Sequence, residues 1–260
     1  MTAGVAPAAA SASVHLAELG TTFASGAAHW RFGNIDWRTV ALMTFPGFVG
    51  AFLGAVVLSS LPAEVAGPFI ATFLFLLGAY ILVRFATRTF PPHPGKRRLP
   101  WFFLSPLGAF AGFMDAAGGG GWGPIGTPAL LSSGRLEPRK VVGSVDTGEF
   151  LVALGASLGF LISLSSAAID FRWVAALLIG GLIAAPIAAW LVKLLPARIL
   201  GSAVGSVILL TNANTFAEAV GVGGSTLAFG YGVLVTLAVV SIGSAVLIHR
   251  RERGLATAAA

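Results

Sequence analysis

Two carboxylates stand inside apolar stretches of this chain, at Glu18 and Glu149, each preceded three residues earlier by a second ionisable group, His15 and Asp146. Residues three apart share one face of a helix. Ionisable groups within membrane spans are costly and usually face an interior or a pathway. Such pairs can carry or gate protons; they can equally form a structural hydrogen bond across an interface. His15 offers a donor or a pH-sensitive group, whereas an ionised Asp146 cannot bind an anion. A second kind of chemistry lies in Asp115-Ala-Ala-Gly-Gly-Gly-Gly-Trp-Gly-Pro-Ile-Gly-Thr-Pro128. Gly costs a helix about 1 kcal/mol and Pro about 3 kcal/mol relative to Ala, so this stretch breaks the helix. Broken helices at membrane depth line cavities, and their N-termini present backbone N–H groups to anions. The donors of such a site would be Gly118, Gly119, Gly120, Gly121, Trp122, Gly123, Gly126 and the hydroxyl of Thr127. The plainer alternative is a glycine notch for helix packing.

Other polar groups read more simply. Thr21, Thr22 and Thr147 suit bonds to the preceding turn's carbonyl. Trp122 can wall a cavity or pack, and Asp115 can cap the second half-helix or meet a basic residue. Asn212, Asn214 and Glu218 mark a polar patch where local unwinding is conceivable. His93 sits among prolines in a solvated linker.

Composition sets the frame for these groups. The chain is 56% hydrophobic and 10% charged, with mean hydropathy +0.89; soluble domains carry about 25% charged residues. The protein is therefore an all-α integral membrane protein. The absence of cysteine removes disulfides and thiolate chemistry. The net charge of +6 clusters between apolar runs, a membrane pattern rather than a nucleic-acid footprint. No basic segment followed by an apolar one marks a cleavable leader. There is no P-loop, H-E-x-x-H or nucleophile elbow, so neither an enzyme nor an ATP-driven pump is expected, and no cofactor or metal set is visible.

Apolar runs of about 20 residues predict spanning helices near 9–29, 39–61, 65–85, 141–165, 173–195, 199–219 and 226–248. The segment 101–134 adds a broken element. An internal repeat organises them. Ser13-Val14-His15-Leu16-Ala17-Glu18 aligns with Ser144-Val145-Asp146-Thr147-Gly148-Glu149, and Pro7 with Pro138. Ile35-Asp36-Trp37-Arg38 aligns with Ile169-Asp170-Phe171-Arg172, and Leu61-Pro62-Ala63 with Leu195-Pro196-Ala197. The expected layout is a first repeat over 1–85, a basic cytoplasmic linker over 86–100, a second repeat over 101–220, and a last helix with a cytoplasmic tail over 221–260.

The positive-inside rule orients the chain. Arg84, Arg88, Lys96, Arg97 and Arg98 put the linker in the cytoplasm, and Arg250, Arg251 and Arg253 put the C-terminus there. Making 101–134 a re-entrant hairpin satisfies both, with Arg135, Arg139, Lys140, Lys193, Arg198, Arg31 and Arg38 inside as well. Of the sixteen Lys and Arg, only Arg172 is then outside. The two repeats become inverted, with a midplane site between them.

The GGGGWGPIGTPALL run, the SVHLAE and SVDTGE pair behind their prolines, and the duplicated layout resemble the sulfite exporter TauE/SafE family across nearly the whole chain. The resemblance implies a bacterial inner-membrane permease for a small anion, with sulfite and organosulfonates as the associated cargo. It also implies a Gly-rich element before Pro7 to match the one before Pro138, and Gly4-Val5-Ala6-Pro7 reads as its tail. The expected partners are a small anion and the bilayer, with a homo-oligomer conceivable and no nucleic acid. The rival readings are a permease for another small solute, or a membrane scaffold in which the glycines only pack helices.

Overall fold

A computed structural model describes residues 6–87, 98–164, 169–194 and 197–258, and among them the chain forms nine α-helices and no strand. These are α1 (Pro7–Arg31), α2 (Trp37–Ser60), α3 (Ala63–Thr87), α4 (Trp101–Gly118), α5 (Trp122–Ser132), α6 (Pro138–Ser163), α7 (Phe171–Leu194), α8 (Ala197–Ala219) and α9 (Gly224–Ala258). Each expected span has its helix. Four of them, over Trp37–Ser60, Ala63–Thr87, Arg139–Ser163 and Gly224–Arg250, are long and apolar enough to cross a bilayer. Most of the linker, with Arg88, His93, Lys96 and Arg97, lies outside the described residues, as do Leu195 and Pro196.

Local chemistry starts and stops these helices. Pro7 and Pro138 occupy the first turns of α1 and α6, where a missing N–H costs nothing and the fixed φ fits a helix. Asp36 caps α2, accepting the Thr39 amide at 2.8 Å. Two expectations fail. The patch at Asn212, Asn214 and Glu218 does not unwind α8: Asn212 donates to the Ile208 carbonyl at 2.9 Å and Asn214 to Glu218 at 2.7 Å, so the polar groups are satisfied within a continuous helix. The last helix does not end near 248 but continues to Ala258, because Arg, Glu, Leu and Ala are all good helix formers.

The chain divides into two compact units, Met1–Ile70 with Phe90–Pro186, and Ala71–Thr89 with Ile187–Ala260. This division cuts across the halves of the sequence repeat. The second unit is built from the later part of α3 and the end of α7 with α8 and α9. Phe75 stacks on Phe216 with centroids 4.3 Å apart, and Tyr231 reaches the Leu210 carbonyl at 3.4 Å.

The first unit holds the hairpin. Low-numbered residues of α1 meet high-numbered residues of α6, with His15 against Phe160 and Gly26 against Thr147, so these helices are antiparallel. α2 runs parallel to α4 and to α6, and its contacts are unusually close. The backbone carbonyls of Met43 and Gly47 face Gly108 and Gly112 of α4, while those of Phe48 and Phe52 face Gly155 and Gly159 of α6. At Gly112 an added Cβ would overlap the Gly47 carbonyl. Hydrophobic burial drives little helix association within lipid, so close backbone approach carries the packing instead. Apolar side chains such as Phe45, Val49 and Leu53 remain exposed on the outer face of α2, as a lipid-facing surface requires.

One end of this unit gathers the loops. Arg38 donates to the Leu99 carbonyl at 2.6 Å, Arg135 to the Arg98 carbonyl at 3.3 Å, and the Asp36 amide to Ser144 at 2.8 Å. The segment before α4 and the segment after α5 are therefore held together. The Gly-rich element is a hairpin that leaves and returns at one basic end.

Candidate functional site

The hairpin tip is organised by Asp115. α4 ends at Gly118, and Gly119 (φ 75°) and Gly120 (φ 146°) carry the reversal; both angles are strained for any residue with a Cβ. The Asp115 backbone carbonyl accepts the amides of Gly119 and Gly120 at 3.1 Å. Its carboxylate Oδ1 accepts the amides of Gly121 and Trp122 at 2.7 and 2.9 Å. A buried anion thus sits on the N-terminus of α5, where free N–H groups and the helix dipole favour negative charge. Of the donors that the sequence offers to an anion, four amides are thereby taken by the protein's own aspartate in this structure. Gly118 lies in the last turn of α4. Gly126 packs beside Met43 and Val145. An added Cβ at Gly120 or Gly123 would meet no heavy atom within 4 Å, so the break is not a filled packing notch along its whole length.

Trp122 does fill one. It is 0% exposed, and its indole N–H donates to the Val145 carbonyl at 2.8 Å. The ring lies between Gly47 of α2 and Gly148 of α6: an added Cβ would come within 2.6 Å of it at Gly47 and 3.0 Å at Gly148. Trp122 thereby fixes the start of α5 against both neighbours.

His15 and Glu18 of α1 gather around the same tip. His15 Nδ1 lies 2.9 Å from Glu18 Oε2 and 4.0 Å from Asp115 Oδ2; His15 and Asp115 are 3% and 5% exposed. The imidazole also stacks on Phe160, centroids 6.1 Å apart. Glu149 is half-buried on α6, three residues beyond Asp146. Asp146 turns the other way along α6: its carboxylate takes a hydrogen bond from Ser25 and lies 3.3 Å from His29 Nε2. The threonines behave as helix threonines do: Thr21 and Thr22 donate to the Glu18 carbonyl, and Thr147 to the Gly143 carbonyl at 2.6 Å. Thr127 lies on α5, one turn beyond the break.

Three participants go unnoticed in the sequence. Ser11 donates to the Ala116 carbonyl at 3.0 Å and ties α1 to the hairpin tip, and Ser25 and His29 complete the Asp146 site. One signal could have found His29. The repeat offset that carries His15 to Asp146 carries His29 to Phe160, so the partner of His15 and the partner of Asp146 occupy matching positions.

A buried carboxylate on a broken helix, 4.0 Å from a histidine that itself meets a glutamate, is an arrangement of the kind transporters place at a broken helix. The family model for "Sulfite exporter TauE/SafE" matches residues 1–215. The chain belongs to the sulfite exporter TauE/SafE family. It is similar to "Probable membrane transporter protein YtnM" of Bacillus subtilis (strain 168), 54% identical over 214 residues, covering 82% of this chain and 71% of that protein. It also resembles "Probable membrane transporter protein YdhB" of the same organism, at 27% identity over 191 residues, covering 73% and 77%. No solved structure matches. As a TauE/SafE member the chain is a multi-pass membrane transporter.

Proposed function

We propose that the protein is a secondary permease of the bacterial inner membrane that moves a small anion such as sulfite or an organosulfonate. The observation that carries this reading is the Asp115 carboxylate on the Gly121 and Trp122 amides. A tethered oxyanion occupies a buried pair of donors at a helix N-terminus, and a free oxyanion of similar shape suits the same donors. Substrate then binds when Asp115 gives up the amides, with Gly118, Gly119, Gly120, Gly121, Trp122, Gly123, Gly126 and Thr127 forming the wall and donors of the site. Glu18 and Glu149, with His15 and Asp146, couple protons to that exchange or gate it.

Inverted repeats fit the same picture. Swapping the two copies turns the His15–Phe160 contact into the Asp146–His29 contact, as a two-fold axis between α1 and α6 requires. The basic end, with Arg31, Arg38, Arg98, Arg135, Arg139 and Lys140, is then cytoplasmic by the positive-inside rule. The test is anion flux in proteoliposomes with sulfite, sulfate and methanesulfonate. Saturable sulfite flux lost in Glu149→Gln, with the variant still folded and inserted, supports the reading. No flux of any of the three anions would overturn the anion reading and point to a permease for another small solute.

A further inference from the structure

A cavity of about 130 Å³, partly open to the outside, lies at the basic end of the first unit, lined by Asp36, Arg38, Thr39, Arg98, Leu99 and Leu136. It contains no residue of the hairpin tip. One water occupies about 30 Å³, so the space admits a group the size of a phosphate. The Arg38 guanidinium is held in place by its bond to the Leu99 carbonyl at 2.6 Å. Asp36 is the one acid in the lining, and its carboxylate is engaged by the Thr39 amide at 2.8 Å. The ion pairs among the described residues join other groups. Arginine carries more donors than one carbonyl uses, in a planar fork that matches phosphate oxygens. Arg38 and Arg98 therefore keep donors for a ligand.

The surroundings of the cavity are those of a membrane surface. Trp37 adjoins Arg38 in the chain, Trp101 and Phe102 follow soon after Leu99, and all three side chains are exposed. Exposed tryptophans at the ends of membrane helices mark the level of the lipid headgroups. Arg38 also stands on the outer face of α2. Phe45 and Val49 follow it by close to two and three full turns, and both are exposed. The close backbone contacts of α2 use its other faces, through Met43 and Gly47 toward α4 and through Phe48 and Phe52 toward α6. At a rise of about 1.5 Å per residue, Phe45 lies about 10 Å and Val49 about 16 Å along the helix from Arg38. An apolar track thus leads away from the two arginines toward the hydrocarbon.

We propose that this cavity binds the phosphate of an anionic phospholipid, with Arg38 and Arg98 as its cationic ligands and the outer face of α2 as the seat of an acyl chain. Basic pockets beside membrane helices suit lipid headgroups. A soluble anion would use the charge alone, whereas the aromatic rim and the apolar track fit a molecule that joins a phosphate to hydrocarbon. Bound there, the lipid links the start of α2 to the segment before α4, the two elements that Arg38 already joins through Leu99. It therefore braces one root of the hairpin. The site lies apart from the anion donors at the tip and does not depend on the cargo of the permease.

The test is thermal unfolding of the full chain in an uncharged detergent, titrated with short-chain lipids, since a ligand that binds only the folded state raises Tm. Dioctanoyl phosphatidylglycerol is the anionic probe, dioctanoyl phosphatidylcholine the zwitterionic one, and glycerol phosphate the headgroup without chains. Phosphatidylglycerol should raise Tm saturably, and the other two should need at least about tenfold more for the same shift. Arg98→Gln leaves in place the main-chain carbonyl that Arg135 bonds, and should raise the phosphatidylglycerol midpoint at least about fivefold. Arg38→Gln should do the same; should it fail to fold without its Leu99 bond, Arg98→Gln carries the test. Arg139→Gln removes an equal charge, one paired with Glu137 outside the cavity, and should leave the midpoint within about twofold. A midpoint unchanged in Arg98→Gln, or raised equally in Arg139→Gln, overturns the site. Equal protection by glycerol phosphate overturns the lipid and leaves a site for soluble anions.

Discussion

Trp122 donates its indole N–H to the carbonyl of Val145 at 2.8 Å, joining the first residue of the short helix α5 to the early turns of α6. The bond anchors the half-helix whose N-terminus holds Asp115. Replacing Trp122 by Phe keeps most of the ring in its slot between Gly47 and Gly148 and removes the donor alone. A lost net hydrogen bond is worth about 0.5–1.5 kcal/mol. We expect a Trp122→Phe variant that inserts normally, melts a few degrees lower in detergent, and has weaker anion affinity because the tip is less firmly held. Thermal unfolding followed by intrinsic fluorescence of the remaining tryptophans measures the first effect, and concentration-dependent flux the second.

Asp115 serves charge and capping at once, and two substitutions separate them. Asp115→Asn keeps a side-chain oxygen for the Gly121 and Trp122 amides but loses the charge; Asp115→Ala loses both. Removing a helix cap costs about 0.5–2 kcal/mol, so the alanine variant should be clearly less stable while the asparagine variant stays close to wild type. Both should alter the pH dependence of anion flux, since the group that competes for the amides no longer titrates. An asparagine variant with a wild-type pH profile would remove Asp115 from the exchange.

The hairpin topology is open to direct labelling, because the chain has no native cysteine. Single cysteines at Leu99 and Gly134 should react with a membrane-impermeant reagent from the same face, since Arg135 and Arg98 hold the two roots of the hairpin together. A cysteine at Arg172 should react from the opposite face. Labelling of the Leu99 and Gly134 positions from opposite faces would turn the hairpin into a full crossing.

At the reversal itself the backbone decides. Gly119 has φ 75° and ψ 22°, a left-handed conformation, which costs a residue bearing a Cβ about 1–2 kcal/mol. Gly119→Ala should therefore lower thermal stability modestly, whereas Gly123→Ala, in a helix and with open space around it, should not. The pair distinguishes conformational strain at the break from a general intolerance of the glycine run.

The sequence made the helices, the basic hairpin and the ionisable pairs legible because each has a local signal: a long apolar run, a glycine break, a charge at membrane depth. Asp115 could be seen as a cap for the second half-helix. What could not be seen was that it consumes the amides offered to an anion, since six residues of separation across a reversal carry no periodic signature. His29 was hidden for another reason. It stands near a helix end beside Trp30 and Arg31, where a polar residue needs no explanation, and only the antiparallel pairing of α1 with α6 makes it the counterpart of Phe160. The units of packing were also unreadable, because a repeat in sequence need not coincide with a unit of contact.

The glycine–carbonyl contacts along α2 have one more consequence. A bundle held by side-chain oil would change its geometry whenever an apolar residue changed size. Here the mutual position of α2, α4 and α6 is fixed by shape at the main chain, so the lipid-facing residues are free of that duty. Phe45, Val49 and Leu53 can be exchanged among apolar types with little effect, while one methyl group at Gly112 wedges two helices apart. The architecture is in this sense written in the residues with no side chain, and mutational tolerance around the helix should be sharply one-sided.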